Sequence, residues 1–223
     1  MFFYLSRNKA SYSKLAEEIR TCFEDGSQIT AGPQLNSCRY LRACIDEALR
    51  LTPPVPGTLW REEDSNNDDK QPWIVDGHVI PKGTQVAVSS YSLHHNTEYF
   101  PQPFEYVPER WLESDAESLK RMRSCFAPFS TGSRICIGKD LAYLEVTLVM
   151  AKTLWYFDFE VAPGLAGELG AGKEGNPGQR SRPGEFQTYD RIAASHDGPN
   201  LVFSLRDSFV GQERELEEMW KAT

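Results

Sequence analysis

Phe129-Ser130-Thr131-Gly132-Ser133-Arg134-Ile135-Cys136-Ile137-Gly138 is the stretch on which the reading of this chain turns. It sets one cysteine on a loop bounded by two glycines and runs directly into Lys139-Asp140-Leu141-Ala142-Tyr143-Leu144-Glu145-Val146-Thr147-Leu148. Leu141, Leu144, Leu148, Ala151 and Trp155 recur at three- and four-residue spacing, which predicts an amphipathic helix that buries this stripe. Cys136 is then expected at a helix N-terminus, where unpaired N–H groups and the positive end of the macrodipole favour an anion. A thiolate held there is available as a ligand or a nucleophile. Arg134 adds a positive charge two residues before it, and Gly132 and Gly138 allow the backbone to approach a flat ligand closely.

The rest of the composition narrows the class. The chain has 223 residues, 40% hydrophobic and 25% charged, which suits a globular protein with a real core. A formal net charge of −8 argues against a nucleic-acid partner, because phosphate binding needs a basic face. Five cysteines, Cys22, Cys38, Cys44, Cys125 and Cys136, form no C-x-x-C pair, so neither a disulfide framework nor a zinc ribbon is expected, and a reducing, cytosol-facing environment fits. No run reaches the roughly 18 apolar residues of a membrane span, and the start lacks the basic flank of a signal peptide. Met1 to Leu5 reads as the tail of a buried helix.

Working outward, Tyr12, Leu15, Ala16, Ile19 and Phe23 share one face of a helix over 11–23 with Ser11 as N-cap. A second helix over 37–51 has the stripe Tyr40, Leu41, Cys44, Ile45, Ala48 and Leu49, and Pro53-Pro54 stops it. Glu47 and Arg50 meet at i and i+3 on its other side, where such a pair is ordinarily a solvated contact. Residues 64–70 read as a polar surface loop. Trp73-Ile74-Val75 and His78-Val79-Ile80 flank Asp76-Gly77, a hairpin signal, and 84–90 reads as a further strand. His94 and His95 are adjacent, so they do not suit one metal, and a surface or supporting role is expected for both. Phe157 to Val161 and Leu201 to Leu205 read as strands, 163–183 as a mobile Gly- and Pro-rich loop, and 213–221 as a terminal helix.

The pattern Phe-x-x-Gly-x-Arg-x-Cys-x-Gly fixes five positions, and its chance occurrence in a chain of this length is on the order of one in 10⁴ or less. It resembles the haem-binding signature of the cytochrome P-450 family, whose cysteine thiolate is the proximal ligand of haem iron. Glu47-x-x-Arg50 on a helix, then Pro108-Glu109-Arg110-Trp111, then the cysteine loop, is the order of motifs in that family. The resemblance is to the eukaryotic, fungal-like type and covers nearly the whole chain but only about the C-terminal half of a family member. It implies a mainly α fold with small β-sheets (α+β), the C-terminal portion of the cytochrome P-450 fold. Its parts would be a helical pair over 9–51, a small sheet region over 58–92, a meander over 93–128, the cysteine loop and long helix over 129–156, and C-terminal strands and loop over 157–223.

Carried over to this sequence, the resemblance makes Cys136 the ligand of haem b (iron protoporphyrin IX), and Arg134 and Arg61 the clamps on its propionates. Phe129 would pack near the sulfur, Gly132 and Gly138 would shape the loop, and Glu47, Arg50 and Arg110 would form a buried charge triad below the site. It implies a monooxygenase that takes electrons from an NADPH-dependent reductase and inserts one atom of O₂ into a small apolar organic substrate. A full-length member would lie at the cytosolic face of the endoplasmic reticulum membrane. Segments 52–58 and 188–194 would face the substrate. The oxygen-side helix and membrane anchor of the family are expected upstream of Met1. The alternative is therefore a truncated, catalytically inactive fragment that binds haem or does not. A thiol hydrolase or redox enzyme using Cys136 as nucleophile is the weaker reading, because no histidine stands in an evident partner position.

Overall fold

Helix formation begins at once, since Phe3, Tyr4 and Leu5 on α1 (Phe2–Arg7) are buried. The computed structural model describes residues 1–63, 71–176 and 181–209. α2 (Lys9–Cys22) buries Leu15, Ala16 and Ile19 as the spacing predicts. Its N-cap is Asn8, and Ser11 lies buried within the helix rather than before it. The helix starts earlier than the apolar stripe because Lys9 and Ala10 are good helix formers on a solvent face.

After a 3₁₀ turn (Gly26–Gln28) and α3 (Pro33–Asn36), α4 (Arg39–Leu51) runs through the centre of the fold. Its N-cap, Cys38, makes no capping bond of its own. Glu18 on α2 takes that role, accepting from the backbone N–H groups of Tyr40 and Leu41, both at 2.8 Å, so a neighbouring carboxylate satisfies two orphan donors. α4 is buried nearly all round, with Ala43, Glu47 and Arg50 out of solvent as well as the apolar stripe.

β1 (Trp73–Val75) and β2 (His78–Ile80) form an antiparallel hairpin in which Trp73 faces Ile80. Asp76 and Gly77 both hold positive φ, 49° and 77°, the turn that the Asp-Gly pair predicts. The strand expected over 84–90 reduces to one bridge, Val86 to Arg61, with N–H to O=C bonds of 2.8 Å in each direction. None of residues 84–90 is fully buried, and Val88 is 69% exposed, so the segment has no face to bury. The chain then forms α5 (Ser90–His94), α6 (Arg110–Glu113) and α7 (Ala116–Cys125), the last capped by Asp115.

α8 (Lys139–Tyr156) follows the cysteine loop and leads directly into β3 (Phe157–Val161), which pairs antiparallel with β4 (Leu201–Leu205), Phe159 opposite Phe203. The C-terminal carbonyls of α8 are met from outside the helix. Arg20 donates to Leu154 O at 3.0 Å, and Arg206 to Trp155 O at 2.6 Å. Within 163–183, expected as a mobile loop, the described residues form α9 (Leu165–Glu168) and Ala171 bridges to Phe186, while 177–180 lie outside the described residues. The loop and helix expected over 64–70 and 213–221 lie outside the described residues. The core is built from α1, α2, α4, α8 and β3, and a smaller cluster of Ala43, Phe100, Trp111 and Met122 lies beneath α6 and α7. Among the described residues, no helix is long and apolar enough to cross a membrane.

Candidate functional site

The loop before α8 is shaped by its backbone. The Cys136 N–H donates to Phe129 O at 2.9 Å, closing the stretch 129–136 on itself. Inside that closure Ser130 and Gly132 take φ of 62° and 67°, and Gly132 has open space where a side chain would stand. Gly138 is the N-cap of α8, and the Cys136 carbonyl accepts from Lys139 N–H at 3.3 Å. Cys136 therefore sits two residues ahead of the cap and is exposed.

The face of α8 that follows differs from the one the spacing predicts. Tyr143, Met150, Ala151, Leu154 and Trp155 are inside, while Leu141 (60%), Leu144 (37%) and Val149 (53%) remain exposed, as do Ile135 and Ile137 beside the cysteine. Apolar residues lie all round α8, so the three- and four-residue spacing has more than one solution. An apolar surface therefore surrounds the sulfur on its own loop and continues along the helix.

Phe129, Ala142, Tyr143 and Val146 form one wall of a cavity of about 480 Å³. Ile45, Ala48 and Leu49 of α4 form another. Thr52 and Pro54 close it on one side, and Thr188, Ala193 and Ala194 on the other. The last two groups come from segments far apart in sequence that a hydrogen bond joins directly, Ala194 N–H to Pro54 O at 2.7 Å. Cys136 and Arg134 are outside this lining, on the loop at its border.

The two arginines are placed differently. Arg134 is exposed in a 3₁₀ turn (Gly132–Arg134) and has no ion pair or side-chain hydrogen bond among the described residues. Arg61 bridges Val86 through its backbone, and its guanidinium donates to the carbonyls of Trp60 (3.0 Å) and Leu59 (3.4 Å).

Glu47, Arg50 and Arg110 come together out of solvent. Arg50 donates to both carboxylate oxygens of Glu47, Nε to Oε2 at 3.0 Å and Nη2 to Oε1 at 2.9 Å. Arg110 Nε adds a bond to Oε1 at 3.1 Å, the Val107 N–H another at 3.0 Å, and Trp111 Nε1 donates to Oε2 at 3.0 Å. The remaining guanidinium nitrogens of Arg50 donate to the carbonyls of His94, Pro103 and Glu105, and those of Arg110 to Pro101 and Gln102. Burial lowers the Arg110 pKa from its ordinary value while Glu47 opposes that shift. Buried charge persists here because it is paired and its remaining donors are satisfied.

His94 is a member of this assembly that sequence reasoning does not find. It is fully buried and His95 is buried too, so of the surface or supporting role expected for the two, the surface position is excluded and the supporting one fits. His94 Nε2 accepts from the Ala127 N–H at 3.0 Å, so its proton is on Nδ1, facing Arg50 O at 3.2 Å. Desolvation, with Arg50 nearby, pushes its pKa down to about 3 and keeps it neutral. A continuous set of bonds thus runs from Glu47 through Arg50 and His94 to Ala127, two residues before Phe129. The one signal pointing to His94 is its distance of only a few residues from the Phe100-Pro101 turn that the triad arginines grip. Trp111 enters the sequence reading only as part of a motif, and its indole N–H is a ligand of Glu47.

The family model described as cytochrome P-450 matches residues 1–172. The chain is 46% identical over 208 residues to cytochrome P-450 monooxygenase apf8 of Gibberella fujikuroi, covering 92% of this chain and 54% of that protein. It is 42% identical to cytochrome P-450 monooxygenase AKT7 of Alternaria alternata (90% and 39%), and 46% identical to cytochrome P-450 monooxygenase poxM of Penicillium oxalicum (93% and 36%). The chain spans between about a third and just over half of the length of these curated relatives. With the cysteine loop, the buried Glu47–Arg50–Arg110 cluster and a family match over most of its length, the chain belongs to the cytochrome P-450 family.

Proposed function

We propose that this chain carries the thiolate side of a haem monooxygenase, in which Cys136 would supply the thiolate that holds haem b. The observation that carries the reading is the sulfur of Cys136, exposed at the mouth of α8 on a loop pinned by its own N–H to Phe129 O. The residues around it fit a flat, largely apolar group with anionic substituents. Ile135, Ile137 and Leu141 offer uncovered apolar surface, Gly132 leaves space, and Arg134 is an uncommitted cation suited to a carboxylate. Arg61 serves as the second propionate donor in this proposal, exchanging its backbone carbonyl partners for the carboxylate. Haem bound there supplies the iron at which O₂ is activated, and a thiolate donor favours O–O cleavage.

The chain's own residues then have defined tasks. Phe129, packed on Tyr143 with ring centroids 5.3 Å apart, holds the start of the loop against α8. Glu47, Arg50, Arg110 and His94 hold the segment that leads into the loop, so that the sulfur keeps one position. Thr52, Pro54, Thr188, Ala193 and Ala194 line the space for a small apolar organic substrate, with few polar side chains among the lining residues to orient it. Electrons would come from an NADPH-dependent reductase, and the whole protein would work at the cytosolic face of the endoplasmic reticulum membrane.

The test is spectroscopic. Haem-reconstituted protein, reduced and exposed to carbon monoxide, is expected to give the strongly red-shifted Soret band of a thiolate haem. Cys136→Ala abolishes that band while Cys125→Ala keeps it. A band typical of a nitrogen or water ligand, or none in wild-type protein, overturns the proposal. The uncovered row of Ile137, Leu141 and Val149 favours a second reading, in which this length of chain binds haem without oxygenating substrate. Oxygenation that depends on NADPH and reductase, measured on the purified chain, refutes that second reading.

A further inference from the structure

Two cysteines away from the candidate haem site are brought together by the turn between α2 and α4. Cys22 is the last residue of α2, and Cys38 is the N-cap of α4. Their sulfurs address one acceptor, Gln34 O, at 3.6 and 3.8 Å, so a single carbonyl oxygen brings the two thiols side by side. Cys22 Sγ also lies 3.8 Å from Ser37 Oγ. The Gln34 side chain closes the arrangement from the other direction, its Nε2 donating to Cys22 O at 2.7 Å. Fifteen residues separate the pair in sequence, and they fold as the 3₁₀ turn Gly26–Gln28 and α3, so the approach is built by local structure.

We propose that Cys22 and Cys38 form a reversible modification site, oxidised by a small-molecule disulfide of the glutathione type to a disulfide that ties the end of α2 to the start of α4. The exposures of the two thiols set the order of events. Cys22 is half-buried and open to an oxidant, whereas Cys38 is only 3% exposed. Burial, with the neighbouring Cys22 adding to it, pushes the Cys38 thiol up to about 12, so it is the poorer first nucleophile. Cys22 releases its proton to water and its thiolate attacks one sulfur of the oxidant. The oxidant's S–S bond breaks, and the departing thiolate takes up a proton. Cys38 then loses its proton and attacks the Cys22 sulfur of the mixed disulfide, expelling the second small thiolate, which is protonated in turn. The two protein thiols have given up two electrons and two protons, and one small disulfide has become two thiols.

The crosslink would fix the N-cap of the helix that carries Glu47 and Arg50 to the helix whose Glu18 already caps it. Cys44 does not compete, being fully buried with its thiol pushed up by desolvation. The experiment equilibrates the full chain in glutathione buffers of graded oxidised-to-reduced ratio. The protein is then acid-quenched, alkylated, and mapped by mass without reduction. The expected result is a peptide joining Cys22 to Cys38 and a loss of two hydrogen atoms per chain, both reversed by excess reduced glutathione. Cys38→Ser is expected to trap the glutathione adduct on Cys22, and Cys22→Ser to leave Cys38 unmodified. A glutathione adduct that persists on Cys22 in wild-type protein overturns the proposal. So does pairing of Cys22 with another cysteine, or resistance of both thiols under conditions that modify Cys136. The wild-type peptide map separates these outcomes even if a serine variant fails to fold.

Discussion

Replacing Glu47 by glutamine tests the assembly beneath the cysteine loop with the least change of shape. The carboxylate accepts five hydrogen bonds, three on Oε1 and two on Oε2. A glutamine oxygen can keep the Oε1 set, but its NH₂ group then faces Arg50 Nε and Trp111 Nε1, donor against donor. Two bonds are lost at the least, one to a guanidinium, and two buried cations are left without a counter-charge. Hydrogen bonds to charged groups contribute about 1.5–3 kcal/mol each, and breaking a buried ion pair by removing one partner costs about 3–5 kcal/mol. We expect Glu47→Gln to lower unfolding free energy by about 3–5 kcal/mol, or roughly two to four powers of ten in the equilibrium constant. That is a large share of the about 5–15 kcal/mol available to a typical domain. Urea unfolding followed by tryptophan fluorescence measures it, with Trp111 as a reporter at the carboxylate itself. Arg42→Ala on the same helix is the control. Its salt bridge to Asp46 joins an Arg42 side chain that is 54% exposed, so the expected loss is under about 1 kcal/mol. If Glu47→Gln costs no more than Arg42→Ala, the charge cluster does not brace the fold and the reasoning fails.

His94 and His95 are held neutral in the fold, with pKa values lowered by burial from 6.5 to about 3 and about 4. Their contribution to stability is complete above pH 6.5 and is lost as pH falls towards those values, at up to about 1.4 kcal/mol per pH unit for each histidine. His94→Gln should therefore remove about one proton from the slope of unfolding free energy against pH between 6.5 and 4, whatever it does to stability at neutral pH; an unchanged slope refutes the assignment. Gly132→Ala, at a φ of 67°, should cost about 1–2 kcal/mol by urea unfolding through backbone strain alone, since nothing stands near its added methyl. Arg134→Ala is expected to speed haem loss to an apo-globin acceptor in reconstituted protein, and a rate equal to wild type counts against its role at a propionate.

Which parts of this fold can be read from the sequence depends on whether local chemistry or distant partners decide them. The Asp76-Gly77 hairpin and the Phe157–Val161 strand are legible because turn geometry and alternation act over a few residues. The cysteine loop is legible because its glycines and its helix lie beside it in sequence. The buried state of Glu47 and Arg50 is not legible from α4 alone. Their partners come from residues 94–111, and local spacing gives a solvated pair as the ordinary outcome. Only the recurrence of a known motif order points inward. The buried stripe on α8 escapes local reading because a helix apolar on every side offers several faces, and packing against the distant α2 and α4 chooses among them.

The same distinction explains what the triad is for. A carboxylate with five donors holds no reacting group, yet its two arginines grip five backbone carbonyls between residues 94 and 105. Carbonyls in an irregular segment have no ladder to satisfy them, and leaving them buried without donors would be costly. The guanidiniums replace that ladder, and His94 passes the constraint to Ala127 at the threshold of the loop. In the proposed role, a sulfur that would meet a metal at one distance needs a support whose own position is set by packing and hydrogen bonds. An irregular meander can provide it only if buried charge takes the place of regular structure.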